Sequence, residues 1–111
     1  MEINLQKYKH CDLIAISGKV DSLTAPELTR HIEALNSKSR YKIILEMSAL
    51  EYMSSAGFRA MLLGQRNCKR YNRGEIVLAS VPKKVMDALE LTGFTPLFKI
   101  FEEVTPAVGY F

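Results

Sequence analysis

Apolar positions along the chain change period at intervals, and each change marks an element. Ile3 and Leu5 alternate with polar neighbours over residues 2–8, and Leu13-Ile14-Ala15-Ile16 follows polar His10 and Asp12. That opening reads as two strands joined by a tight turn, with Gly18 ending the second. Ala25, Leu28, Ile32 and Leu35 then recur at helical spacing and put one apolar stripe on a helix that ends near Asn36. Its start, Thr24-Ala25-Pro26-Glu27, predicts a reciprocal cap between the Thr24 hydroxyl and the Glu27 carboxylate, with Pro26 tolerated in the first turn.

The run Lys42-Ile43-Ile44-Leu45-Glu46-Met47 is continuously apolar at its centre and predicts a strand covered on both faces, the central one of the sheet. Phe58, Met61, Leu62, Gln65 and Cys68 define a second helix behind Ser54 and Ser55, ending at Asn72-Arg73-Gly74 with Gly74 as a left-handed terminator. A buried strand at Ile76-Val77-Leu78-Ala79 follows. A helix opened by Pro82 carries Val85, Met86 and Leu89 and stops at Gly93, and Leu97-Phe98-Lys99-Ile100-Phe101 forms the last strand. From Glu102 the tail reads as a short helix containing Pro106 and Gly109. Strands alternating with helices in this order predict an α/β fold. It is a mixed sheet of four to five strands with helices packed on one side, burying Ile43, Ile44, Leu45, Ile76, Val77 and Leu78.

Composition narrows the class. With 111 residues, 48% hydrophobic and 24% charged, the chain has the make-up of one globular domain spanning residues 1–111, and no repeat or linker-like stretch divides it. No apolar run approaches the roughly 20 residues that cross a bilayer, and the Met1-Glu2-Ile3 opening lacks the basic and apolar regions of a signal peptide. The expectation is a cytoplasmic protein without membrane contact. Cys11 and Cys68 show no paired spacing with each other or with His10 and His31, so buried thiols are expected rather than a disulfide or a zinc site. A net charge of +3 does not single out nucleic acid. Lys69, Arg70 and Arg73 cluster where they complement the dipole of the second helix, and no direct nucleic-acid partner is expected.

Candidate chemistry concentrates at Ser54-Ser55-Ala56-Gly57, where a loop delivers the chain into a helix N-terminus. Free amides and the positive dipole end favour an anion there, so a serine at this point either caps the helix or carries a phosphate. Nucleophilic catalysis finds no support. The surroundings do not spell Gly-x-Ser-x-Gly, His10 lies in a turn, and His31 sits beside core positions of a helix. Gly57 and Gly64 do not form a phosphate-binding loop, and Glu102-Glu103 reads as complementing the terminal helix dipole. The sequence therefore predicts no catalytic residue, no metal site and no cofactor; the protein is expected not to be an enzyme.

Gly18-Lys19-Val20-Asp21-Ser22, Thr24-Ala25-Pro26-Glu27-Leu28, Ile43-Ile44-Leu45-Glu46-Met47-Ser48 and Tyr52-Met53-Ser54-Ser55-Ala56-Gly57-Phe58 together resemble a STAS domain of the anti-sigma factor antagonist type, over nearly the whole chain. The resemblance implies a bacterial partner switch that regulates sigma-factor-dependent transcription. The unmodified antagonist binds an anti-sigma factor that is a serine kinase, phosphorylation of one serine ends the association, and a PP2C-type phosphatase resets it. The matching serine is Ser55. Ser54 replaces the family's Asp before it, Ala56 replaces the hydroxyl residue after it, and Glu46 stands where the central strand usually ends in Asp. The implied partner surface comprises Asp21, Ser22, Ser54, Ala56, Gly57 and Phe58. Asp21 either orders its loop as a turn residue or meets the partner. A STAS scaffold without phosphorylation, serving a signalling or transport complex, is the alternative. Oligomeric state is left open.

Overall fold

A computed structural model describes all 111 residues. The elements are β1 (Glu2–Lys7), β2 (Asp12–Val20), α1 (Ala25–Ser37), β3 (Lys42–Glu46), β4 (Leu50–Met53), α2 (Ser55–Lys69), β5 (Glu75–Ala79), α3 (Lys83–Thr92), β6 (Lys99–Phe101) and α4 (Val104–Tyr110). β1 pairs antiparallel with β2, after which β2, β3, β5 and β6 run parallel in the order β1-β2-β3-β5-β6. β4, absent from the sequence expectation, pairs only with β2.

Side chains alternate across this sheet. Ile14 and Ile16, Ile43 and Leu45, and Ile76 and Leu78 enter one large core with Leu28 and Ile32 of α1, Phe58 and Met61 of α2, and Val85 and Leu89 of α3. Leu13, Ile44, Val77 and Ala79 point the other way, into a smaller core with Ala107 of α4, flanked by Val104 and Val108. The expectation of helices on one side thus holds for α1, α2 and α3 and is corrected for α4. β3 and β5 are apolar on both faces, so each face needs a cover. Pro106 lies in the first turn of α4, where its missing N–H breaks no helical bond.

Two glycines play parts other than those expected. β2 does not end at Gly18. The strand continues to Val20 through a bulge at Gly18, whose φ of +80° suits a residue without Cβ. Before the bulge β2 pairs with β3; from Gly18 onward it pairs with β4. Gly74 is not the left-handed terminator of α2. That conformation falls to Tyr71 and Asn72, at φ +59° and +55°, while a Cβ on Gly74 would lie 2.4 Å from the Tyr41 carbonyl oxygen. Gly93 does close α3 as expected, at φ +77° with Phe94 N–H bonded to Leu89 C=O.

Buried polar groups tie the layers together. Gln65 on α2 donates to Ile76 C=O at 3.0 Å and to Leu97 C=O at 2.9 Å, and its Oε1 accepts Ile76 N–H at 2.6 Å, so one amide fixes α2 to the start of β5. Asp12 is buried against Arg40, whose Nε donates to Oδ2 at 2.6 Å. Cys11 and Cys68 are both buried free thiols, as expected, and burial pushes both upward in pKa. No helix is long and apolar enough to cross a membrane.

Ile44 is fully buried beneath α4 on the smaller core. Ile44→Ala is expected to destabilise the fold by about 2–5 kcal/mol, read as a lowered urea midpoint at unchanged slope.

Candidate functional site

The β2–α1 loop and the β4–α2 junction lie side by side because the end of β2 pairs with β4. Val20 is the register partner of Met53, and Ser54 N–H donates to Val20 C=O at 2.8 Å. One residue beyond each strand, the chain therefore presents Asp21 next to the start of α2.

Asp21 organises its loop. Its Oδ1 accepts Leu23 N–H at 3.0 Å and Thr24 N–H at 3.1 Å, and its carbonyl accepts Ala25 N–H at 2.8 Å. The Thr24 hydroxyl accepts Asp21 N–H at 2.9 Å and makes no cap on α1. The reciprocal Thr24–Glu27 cap read from the sequence is thus replaced by a turn closed on Asp21, whose carboxylate accepts the Thr24 N–H that Glu27 was expected to accept. The two backbone hydrogen bonds, Thr24 first and then Leu23, hold the Asp21 carboxyl below its ordinary pKa of 3.8.

Ser54 and Ser55 have separate surroundings. Ser54 stands extended at the N-cap of α2, and its carbonyl accepts Gly57 N–H and Phe58 N–H. Its hydroxyl oxygen is buried and makes no hydrogen bond within the protein, so it does not cap the helix. Ser55 is the first residue of α2 and is exposed. No acidic residue of α2 itself occupies this first turn, so the carboxyl that the β2–α1 loop brings beside it is that of Asp21.

Of the other residues expected on the partner surface, Ser22 is exposed and Ala56 half-buried. Both line an open groove of about 440 Å³ between α1 and α2, together with Pro26, Arg30, Arg59 and Leu63. Gly57 and Phe58 are buried, and their expected partner-facing role is corrected to that of a support. A Cβ on Gly57 would lie 2.5 Å from Met53 Cγ and 2.9 Å from Val20 Cγ1, so glycine lets α2 sit directly on β2 and β4. Phe58 packs edge-to-face on Phe94, with ring centroids 6.0 Å apart. Its place on the apolar stripe with Met61 and Gln65 already pointed inward. Leu23, 87% exposed, and Tyr52, 53% exposed, flank these loops and were missed. The available signal was an apolar residue standing outside any periodic stripe.

A family model described as STAS domain matches residues 2–107, and the chain belongs to that family. It is 27% identical over 111 residues to the Bordetella bronchiseptica protein named "Putative anti-sigma factor antagonist BtrV", covering 100% of this chain and 95% of that one. Its fold is similar to that of an anti-sigma factor antagonist from Mycobacterium paratuberculosis, with a TM-score of 0.87 at 19% identity over 98% of this chain and 92% of the other. It is also similar to the Bacillus cell fate determinant SpoIIAA in its phosphorylated form, with a TM-score of 0.76 at 15% identity over 99% and 100% of the two chains.

A carboxyl whose pKa is depressed by folding adds stability that is fully present above its unfolded value and is lost as pH falls through the folded one. Asp21 should therefore contribute to acid unfolding below about pH 4. Asp21→Asn keeps an Oδ1 acceptor but cannot titrate. The difference in urea midpoint between pH 7 and pH 3 is expected to be smaller in this variant than in the parent protein.

Proposed function

We propose that the protein is an anti-sigma factor antagonist controlled by phosphorylation of Ser55. The observation that carries the reading is the placement of Ser55. It is exposed at the first turn of a long helix, between a loop ordered by Asp21 and an open groove, while the residues behind it are buried. Support also comes from the full-length similarity to a relative named as an anti-sigma factor antagonist, and from the shared fold of a protein described in a phosphorylated form.

The mechanism follows from charge. In the unmodified state the surface around Ser55 offers Ser22, the half-buried Ala56 and the exposed apolar Leu23 and Tyr52, small polar groups and apolar area of the kind that fits a protein partner. A serine-kinase anti-sigma factor docked there releases its sigma factor and has Ser55 within reach. Transfer of a phosphoryl group adds about −1.5 to −2 charges. The helix N-terminus accepts that charge locally, but the fitted partner surface does not, and the complex dissociates. Ser54 in place of an acidic residue removes one source of repulsion toward the phosphate. The chain is then substrate and ligand rather than enzyme, and a PP2C-type phosphatase restores it.

Incubation with the kinase and ATP is expected to add one phosphate by intact mass, and Ser55→Ala is expected to abolish the addition while retaining binding. Ser55→Asp should match or exceed the parent in thermal stability, since an acid at a helix N-terminus adds about 0.3–1 kcal/mol. The same variant should bind the anti-sigma factor at least about tenfold more weakly, or 1.4 kcal/mol. Unchanged affinity in a folded Ser55→Asp protein would refute the switch.

A further inference from the structure

The opposite end of the molecule, where β3 and β5 begin, collects cations that are scattered in sequence. The β1–β2 turn brings Lys9 and His10, the α1–β3 connection brings Lys38, Ser39, Arg40 and Lys42, and the α2–β5 connection brings Lys69, Arg70 and Arg73. Three of these segments enclose a concavity of about 300 Å³ lined by Lys9, His10, Ser39, Arg40, Tyr41, Lys42 and Arg73.

Two of the cations are fixed and form the walls. Arg40 is neutralised by Asp12 and also donates to the Tyr8 and Cys11 carbonyls at 2.9 and 3.1 Å. Arg73 is held by the Asn67 carbonyl at 2.6 Å, the Arg70 carbonyl at 3.0 Å and the Tyr41 hydroxyl at 2.9 Å, with its guanidinium 4.0 Å from the Tyr41 ring centroid. No carboxylate forms an ion pair with Arg73, Lys9 or Lys42; the two ion pairs of the protein are Arg40–Asp12 and Lys83–Asp87. Glu75, the cross-strand partner of Lys42, instead accepts the Tyr110 hydroxyl on the α4 side.

The bland account is that these cations offset the C-termini of α1 and α2. Each terminus amounts to about half a negative charge. Arg73, bound to two carbonyls at the end of α2, answers that account; Lys9 and Lys42, on strand ends and turns, do not. Their charge remains, over a rigid floor.

We infer that this concavity is a binding site for a compact anion of two or more charges, a phosphate or diphosphate group free or carried by a small molecule. A volume near 300 Å³ is at the lower end for small-molecule sites, which run from about 300 to 1,000 Å³. Tyr41 is its one hydrophobic lining residue, so a lipophilic ligand has little to bury there. The exposed Lys9 and Lys42, standing over the Nη1 groups that Arg40 and Arg73 do not fully use, suit a multivalent oxyanion instead. The site lies at the far end of the sheet from Ser55 and does not depend on the reading of that residue.

The test is an NMR titration of the full chain with inorganic pyrophosphate at constant ionic strength. Saturable shifts are expected at the amides of Lys9, His10, Ser39, Tyr41 and Lys42. Binding should be at least tenfold weaker in the Lys9→Ala, Lys42→Ala double variant and unchanged in Lys83→Ala, Lys84→Ala, whose lysines lie at the opposite end. Shifts that never saturate, or that fall equally in both double variants, would show ionic attraction without a site and overturn the inference. A single-stranded RNA oligomer that saturates these amides where pyrophosphate does not would overturn it as well, by making this end a nucleic-acid surface.

Discussion

The backbone hydrogen bond from Ser54 to Val20 is the constraint on which the Ser55 end of the molecule depends. Through it the last turn of sheet pairing between β2 and β4 becomes the first turn of α2, so the position of Ser55 is set by strand register rather than by a loop. Val20 and Met53 beneath it are both buried, and Gly57 lets the helix settle onto them without a gap. A surface mounted on strand ends and a helix start is held more tightly than one on a long loop, which suits the partner surface proposed there.

Much of this was legible in the sequence where the signal is local. The apolar runs at 43–45 and 76–78 gave the central strands, the stripe of α1 gave its buried face, and Gly93 gave the end of α3. The unread parts are those decided by distant partners. β4 has only four residues, with Leu50 and Met53 buried and Glu51 and Tyr52 exposed, and no alternation marks it as a strand. Gly74 is glycine because the Tyr41 carbonyl approaches it from over thirty positions away, and no local pattern shows that. In α4, the small apolar positions announce a covered face without saying which side of the sheet supplies it.

The candidate site divides in the same way. The serine pair at a helix start was visible as sequence, and the structure distinguishes its members by burying one hydroxyl oxygen and exposing the other residue. Asp21 gained its role through backbone bonds that compete with the cap expected of Thr24, a contest between two acceptors that spacing alone does not decide. Phe58 was placed on the partner surface by its position in the motif, whereas the helical period put it inside; burial and its contact with Phe94 follow the period.

β2 runs from Asp12, beside the basic concavity, through the bulge at Gly18 to Val20, beside the start of α2. At about 3.3 Å per residue the two ends of that strand stand roughly 25 Å apart, most of the 30 Å long axis of the molecule. Mobile ions attenuate a surface charge over about 8 Å at physiological salt, so a charge gained at one end is electrically invisible at the other. A phosphate on Ser55 would therefore leave the field at the basic concavity unchanged, so the two ends of one strand are electrostatically insulated from each other.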